Sequence, residues 1–296
     1  MAFAAIASAD LSPELADKLE AIRADFRTWG SSLVCFSGGI DSTLAAALAQ
    51  EVLGPRAVAM TAVSPSLAPS ELAHAREVAS RIGVRHELVE SHEIDDPGYV
   101  ANDGRRCFYC KTELYGIAAE KAAAWDLAVV VNGTNLDDLG DYRPGLEAAA
   151  NARVMSPFVT HGLSKAEVRL VAKHLGLPSW DKPAAACLSS RLPHGTPVTR
   201  EILVQSATFE SALHELGLRQ VRVRWHGLEG VGTRLAGSLA RVEVANDELA
   251  TAFAMHEAVV KAGKASGFLF VTLDLEGYRV GSQNALLGRR MLPIVP

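Results

Sequence analysis

Residues 34–49 read VCFSGGIDSTLAAALA, and this stretch decides the fold. Ser32 to Phe36 form a short β-branched and aromatic run, as a buried strand requires. From Asp41 to Val52 small and apolar residues repeat at helical spacing. The turn between them is Ser37-Gly38-Gly39. Glycines there permit positive φ and close backbone approach, so successive amides converge on one point, backed by the positive end of the helix dipole. That is a place for an anion. Asp41 is a poor partner for phosphate alone but suits a site where Mg²⁺ accompanies the phosphates. The plainer alternative is a turn in which Ser37 or Asp41 merely caps the helix. A cap needs one polar residue, whereas several flank the two glycines here. The Gly-Lys-Ser ending of a Walker A loop is missing, and the glycine spacing is wrong for a dinucleotide fingerprint.

Outward from this loop, strand and helix signals alternate. An amphipathic helix from Ser12-Pro13 to Trp29 comes before it, with proline at the first helical position. After it come AVAMTAV as a strand, a helix from Pro69 to Ile82, the strand VRHELV, a long helix following Cys110, and the strongly β-branched LAVVVNG. Ser164 with Glu167 forms a capping box, and Gly176 and Pro178 end that helix. Such alternation predicts an α/β fold with a doubly wound parallel sheet. The loop from Pro178 to Pro197, rich in Pro, Ala and Ser, is the natural boundary. Beyond it the order becomes helix (Thr199 to Leu216), strand (Gln220 to Trp225), strand (Leu239 to Val244), helix (Asp247 to Ala262) and strand (Phe268 to Leu273), a smaller α+β domain. The expected division is 1–190 and 191–296.

The chain has 296 residues, 49% of them hydrophobic, and a net charge of −5, so no general attraction to a polyanion is expected and nucleic acid is not an expected partner. No apolar stretch approaches a membrane span, and the amino terminus, MAFAAIASAD, lacks the basic start of a secretory signal. Four cysteines are too few for a disulfide scaffold in a chain of this length and point to metal or redox chemistry in a reducing, cytoplasmic setting.

Cys107 and Cys110 form RCFYCK, and Cys187 lies in PAAACLSSR. The C-x-x-C is open to reading as a redox pair, half a zinc site or a coincidence. A redox pair has no need of Cys187, and a zinc site wants a fourth ligand, for which His194 is a candidate. Three thiolates also suit a 4Fe–4S cluster with one iron left open to sulfide. Cys35, within an apolar strand, reads as a buried small hydrophobe. The segment NGTNLDDLGDYRPG follows the most hydrophobic strand, at the carboxyl edge where open α/β sheets bind ligands. There Gly133, Asn135, Asp137 and Asp138 are candidates to complete a nucleotide and Mg²⁺ site, with Asp141 and Arg143 as a supporting pair. Arg222 and Arg224 share one face of a strand, and two adjacent guanidiniums repel unless an anion lies between them. Arg191, following Cys187, is a candidate to steady an adenylate or a cluster. Individually His161, His194 and His226 read as ordinary polar residues, and Trp225 as core.

SGGIDS resembles the PP-loop of the ATP pyrophosphatases, adenine nucleotide alpha hydrolase-like proteins that cleave ATP to AMP and pyrophosphate. The run SGGIDS, NGTNLDDLGDYRPG, PAAACLSSRLPHG and VRVRWH resembles, in order, the LarE family of sulfur transferases, over nearly the whole chain. The resemblance implies adenylation of a carboxylate of pyridinium-3,5-biscarboxylic acid mononucleotide and its conversion to a thiocarboxylate, on the way to the nickel-pincer cofactor of lactate racemase. It implies ATP and Mg²⁺ held by Ser37, Gly38, Gly39, Asp41, Ser42, Gly133, Asn135 and Asp138. It also implies substrate contacts from Arg191, Arg222, Arg224 and Glu210, and a trimer- or hexamer-based assembly served by a sulfide donor. One subtype gives up a cysteine sulfur once; another holds a 4Fe–4S cluster on three cysteines. Cys107, Cys110 and Cys187 match the second, while the sacrificial cysteine lies one position earlier, where this chain has Ala186. Asp41 and the three cysteines are therefore the expected catalytic set. The competing expectations are a tRNA thiolase, an amidating synthetase resembling NAD synthetase, a zinc-stapled nucleotide-binding module, and single-turnover donation from Cys187.

Overall fold

The computed structural model describes residues 11–140, 144–182, 186–229 and 235–279. The chain divides into two compact units. The first runs to Ser64 and resumes over Pro69–Glu93 and Arg105–Ala185; the second takes Pro65–Ala68, Ile94–Gly104 and everything from Ala186. Among the described residues no helix is long and apolar enough to cross a membrane. Asp141, Arg143 and the amino-terminal ten residues, read above from sequence, lie outside the described residues.

The first unit opens with α1 (Pro13–Trp29). Ser12 accepts the Leu15 amide at its start, and Gly30 (φ 73°) stops it in the left-handed conformation. Its buried face is Leu15, Leu19, Ile22 and Phe26, worth at most about 1.5–3 kcal/mol per side chain. The sheet comprises β1 (Ser32–Cys35), β2 (Ala57–Val63), β3 (Arg85–Glu90) and β4 (Val129–Val131) in the order β3-β2-β1-β4. Every pairing is parallel, with Val34 opposite Ala59 and Val131. The doubly wound expectation holds because both faces of the sheet are covered. Val34, Ala57, Ala59 and Val131 pack with α1, α2 (Ile40–Leu53), α3 (Pro69–Ile82) and α8 (Lys165–His174), while Leu33 and Met60 meet Ala118 and Ala122 of α5 (Arg106–Ala124) on the other face. Strand β1 lies inside the sheet, so the loop leaving it opens at the carboxyl edge.

Two local expectations change. Helix α5 begins at Arg106, ahead of Cys107, not after Cys110. No glycine or proline separates Arg105 from Cys110, so nothing in the C-x-x-C stops the helix from starting earlier. The chain also forms α6 (Pro144–Asn151) and α7 (Pro157–Thr160), each too short to leave a clear periodicity.

The second unit contains α4 (Pro97–Val100), α9 (Arg200–Glu215), β5 (Val221–Glu229), β6 (Leu235–Val244), α10 (Leu249–Ala254), α11 (His256–Ala265) and β7 (Phe270–Leu273). The helix expected from Asp247 to Ala262 is broken at Met255 (φ −99°, ψ 23°). Strands β5 and β6 pair antiparallel, and β7 joins β6 in parallel. Phe209, Leu213, Val221, Val223, Trp225, Val242 and Phe268 fill the core, so Trp225 is a packing residue whose Nε1 donates to Gln205.

Candidate functional site

The phosphate-loop candidates assemble within the first unit. Gly38 adopts φ +72°, and a Cβ there would come within 2.9 Å of the Ala75 Cα. Gly39 caps α2 without any side-chain hydrogen bond. The capping alternative is therefore not what Ser37 and Asp41 do. The Ser37 amide donates to Ser42 Oγ at 3.1 Å, and the Gly39 amide donates to Ser37 Oγ at 3.3 Å, which shapes the loop from inside. Gly38 O accepts from Ser179 Oγ at 3.1 Å, and Ser179 also lies 3.3 Å from Thr43 Oγ1. Ser179 sits fully buried behind the loop, a support that its sequence surroundings did not advertise.

The second segment packs directly on the first. A Cβ on Gly133 would lie 2.6 Å from the Asp41 carbonyl carbon and 2.8 Å from the Ser42 nitrogen, so only glycine permits this approach. Asn135 Nδ2 donates to Asp41 Oδ1 at 3.1 Å, and the Asn135 amide donates to Asp138 Oδ2 at 3.0 Å. Asp41, Asn135 and Asp138 are thus one connected group. Lys165, at the first turn of α8, donates its ammonium to Asp41 Oδ2, and its amide donates to Asp137 Oδ2. Sequence reading missed Lys165. The capping box of Ser164 and Glu167 is present and fixes where Lys165 emerges, so position N1 of a well-capped helix was the available signal. A carboxylate bridged to an amide and an ammonium, beside a glycine-lined turn, has the ingredients to hold a metal–polyphosphate.

Cys107 and Cys110 lie one turn apart on α5, hence on the same face. Cys107 is exposed and Cys110 half-buried, and all four cysteines are thiols rather than disulfides. Burial acts to lower the Lys111 pKa, but the neighbouring Tyr115, Cys110, Cys35 and Cys107 outweigh it, so the ammonium stays charged beside the cysteines. Enclosure pushes the Cys35 thiol up to about 12, consistent with a packing residue.

Cys187 belongs to the second unit, heading the 3-10 turn Leu188–Arg191. The turn is tied from several sides. Leu188 donates its amide to Ser66 O at 2.8 Å, and the hydroxyls of Ser189 and Tyr99 bond within the core. Arg191 forks onto Glu210 of α9 with two 2.8 Å bonds. Arg224 pairs through Nε and Nη2 with Glu243, whose side chain is fully buried, and donates Nη1 to Ser190 O at 2.9 Å. Arg222 stands on the same face of β5, 5.3 Å from the centre of the Tyr278 ring. Burial lowers its pKa, reinforced by Arg191 and Arg224 and opposed by Glu210. The two strand arginines thus differ: Arg224 is engaged by a carboxylate, and Arg222 sits where positive potential accumulates. His226 is half-buried and pushed down by burial and by Arg241; His161 bonds Asp25 at 2.7 Å; the buried Nδ1 of His194 has no hydrogen-bond partner among the described residues. Among the described residues no three Cys, His, Asp or Glu side chains gather into a ready-made metal centre.

Comparison with known proteins is consistent with this geometry. A family model described as asparagine synthase matches residues 18–100, the span of the phosphate loop and the strands around it. An uncharacterized protein of Synechocystis is 44% identical over 276 residues, 92% of this chain and 99% of its own. An uncharacterized protein of Methanocaldococcus jannaschii is 27% identical, over 83% of this chain and 90% of its own. A pyridinium-3,5-bisthiocarboxylic acid mononucleotide synthase of Lactiplantibacillus plantarum is 33% identical over 260 residues, 88% of this chain and 91% of that protein. With a glycine-lined loop on a doubly wound sheet and this near full-length likeness, the chain belongs to the LarE family of PP-loop sulfurtransferases.

Proposed function

We propose that the protein is an ATP-dependent sulfurtransferase acting on pyridinium-3,5-biscarboxylic acid mononucleotide. The observation that carries this is the 33% identity, over 88% of the chain, to the synthase of the corresponding bisthiocarboxylic acid. In the first step a carboxylate oxygen of the substrate attacks the α-phosphorus of ATP, pyrophosphate leaves, and an acyl adenylate forms. In the second, sulfide attacks the carbonyl carbon and AMP departs, which is a far better leaving group than hydroxide. The product is a thiocarboxylate.

The roles follow the chemistry of each group. The Ser37–Gly39 turn at the amino end of α2, with Ser42, would receive the pyrophosphate portion. Asp41, held by Asn135 and Lys165, would bind Mg²⁺ together with Asp138, and Gly133 allows that segment to approach. Arg222 would neutralise the substrate phosphate. Residues 1–190 would carry adenylation, and 191–296 substrate binding and oligomer contacts. Cys107, Cys110 and Cys187 would hold a 4Fe–4S cluster. Their donor chemistry fits it: three thiols, two of them on one helix turn, are the preferred ligands of such a group. When bound, it would supply an open iron that takes up sulfide. The protein would work in the cytoplasm as a trimer- or hexamer-based oligomer supplied by a sulfide donor.

The test is anaerobic incubation with ATP, Mg²⁺, sulfide and the mononucleotide. The expected result is pyrophosphate, AMP and a thiocarboxylate in equal amounts. Pyrophosphate formed with ammonia as co-substrate, and an amide as product, would reject the sulfur assignment.

A further inference from the structure

Cys187 has an exposed side chain on a firmly tied backbone. The carbonyls on either side of its Cα both accept from one nitrogen, Arg191 Nη1: Ala186 O at 2.7 Å and Cys187 O at 3.1 Å. Tying both peptide planes to one guanidinium fixes φ and ψ of Cys187 (−58° and 155°) and with them the direction of its Cα–Cβ bond. The guanidinium is aimed in turn. Its Nε and Nη2 each lie 2.8 Å from a Glu210 oxygen, and Glu210 Oε1 also accepts the Val223 amide at 2.8 Å, which anchors the carboxylate to β5.

The pair is buried, with side chains 4% and 8% exposed. Desolvating two charges costs several kcal/mol per ion, and apolar residues of similar volume often stabilise a fold as well or better. An apolar pair, though, cannot direct a donor at two chosen carbonyls. Nor is Glu210 open to a ligand, since its side chain is 8% exposed and already accepts three hydrogen bonds, from Arg191 and the Val223 amide.

We propose that Arg191 and Glu210 are positioning residues for Cys187, aiming its thiol for the sulfur step through the backbone rather than contacting the nucleotide. This rests on the reading of Cys187 as a sulfur-handling residue, and replaces the substrate contact that the sequence led us to expect for this pair.

The test uses the full chain and three variants: Arg191→Lys, Glu210→Gln, and the double Arg191→Met/Glu210→Leu, which removes both charges and keeps the volume. The expected result is that thiocarboxylate formed per pyrophosphate released falls by at least about tenfold while KM for the mononucleotide stays within about threefold. In the metal-free protein, amide hydrogen exchange over residues 187–192 should rise by at least about tenfold, with the β5 amides other than Val223 unchanged. A raised KM with intact kcat would make the pair a substrate ligand and overturn the proposal. So would unchanged exchange in the turn, or loss of the fold in all three variants. Full thiolation by Cys187→Ser would instead overturn the reading of Cys187 itself, and this proposal with it.

Discussion

The backbones of the phosphate loop and the cysteine turn are held by different means. The loop backbone is shaped locally, with Ser37 to Ser42 bonding one another over short range, while Ser179, Gly133 and, through Asp41, Asn135 and Lys165 support it from elsewhere in the chain. The cysteine turn is held by groups distant in sequence. Ser66, Tyr99, Glu210 and Glu243 reach it, directly or through Arg191 and Arg224. A loop that uses main-chain amides can be specified by a few residues. A turn that must present one thiol in one direction needs ion pairs recruited from across its unit. Substitutions in the two regions should therefore impair different halves of the reaction.

The largest effect is expected from Cys187→Ser, which should reduce thiocarboxylate per pyrophosphate to background. A variant that still thiolates would erase the functional side of the contrast. Next is Gly133→Ala, whose added methyl would lie 2.6 Å from the Asp41 carbonyl carbon. Displacing Asp41 by a fraction of an ångström to an ångström should lower pyrophosphate release by about a hundredfold. Because adenylation precedes sulfur transfer, the product ratio should hold while both rates fall. Lys165→Met should slow pyrophosphate release by roughly tenfold through loss of one charge beside Asp41 and the phosphates, measured at saturating ATP.

The smallest effect concerns the second unit's scaffold. Glu248 accepts the Arg219 amide at 2.8 Å and the Gln220 amide at 3.0 Å just before β5. Burial raises its pKa, but those amides and the Arg219 guanidinium outweigh it, leaving the pKa below the ordinary value. A carboxylate with a depressed folded-state pKa contributes stability above its unfolded pKa and loses it as pH falls through the folded one. Glu248→Gln should therefore cost roughly 1 kcal/mol, or about 2–4 °C in Tm, at pH 7. The gap between wild type and variant should close as the pH is lowered below the ordinary carboxylate range.

The same contrast explains what the sequence made legible. The strand, turn and helix around SGGIDS were readable because period, glycines and β-branched residues act over neighbouring positions. Gly133 and Asn135 were readable as a segment after a buried strand, though not the Asn135–Asp41 bond that joins them to the loop. Lys165 was hidden because its partner Asp41 is far away in sequence. Arg191, Glu210 and Arg224 were visible as charged residues, but the Arg191–Glu210 and Arg224–Glu243 pairs depend on β5, β6 and α9 meeting, which no local pattern encodes. Helix α5 starting before Cys107 and the break at Met255 were missed because their N-cap residues, Arg105 and Met255, make no side-chain capping bond and carry no capping signature.

Sulfide-fed turnover is decided by counting thiocarboxylate products per chain, without oxygen, with ATP, Mg²⁺, the mononucleotide and excess sulfide, while weighing the intact protein before and after. Several products per chain, matched by AMP and pyrophosphate, with an unchanged protein mass, is the result expected. A single product per chain with a protein lighter by one sulfur would contradict sulfide-fed transfer and make Cys187 a consumed donor.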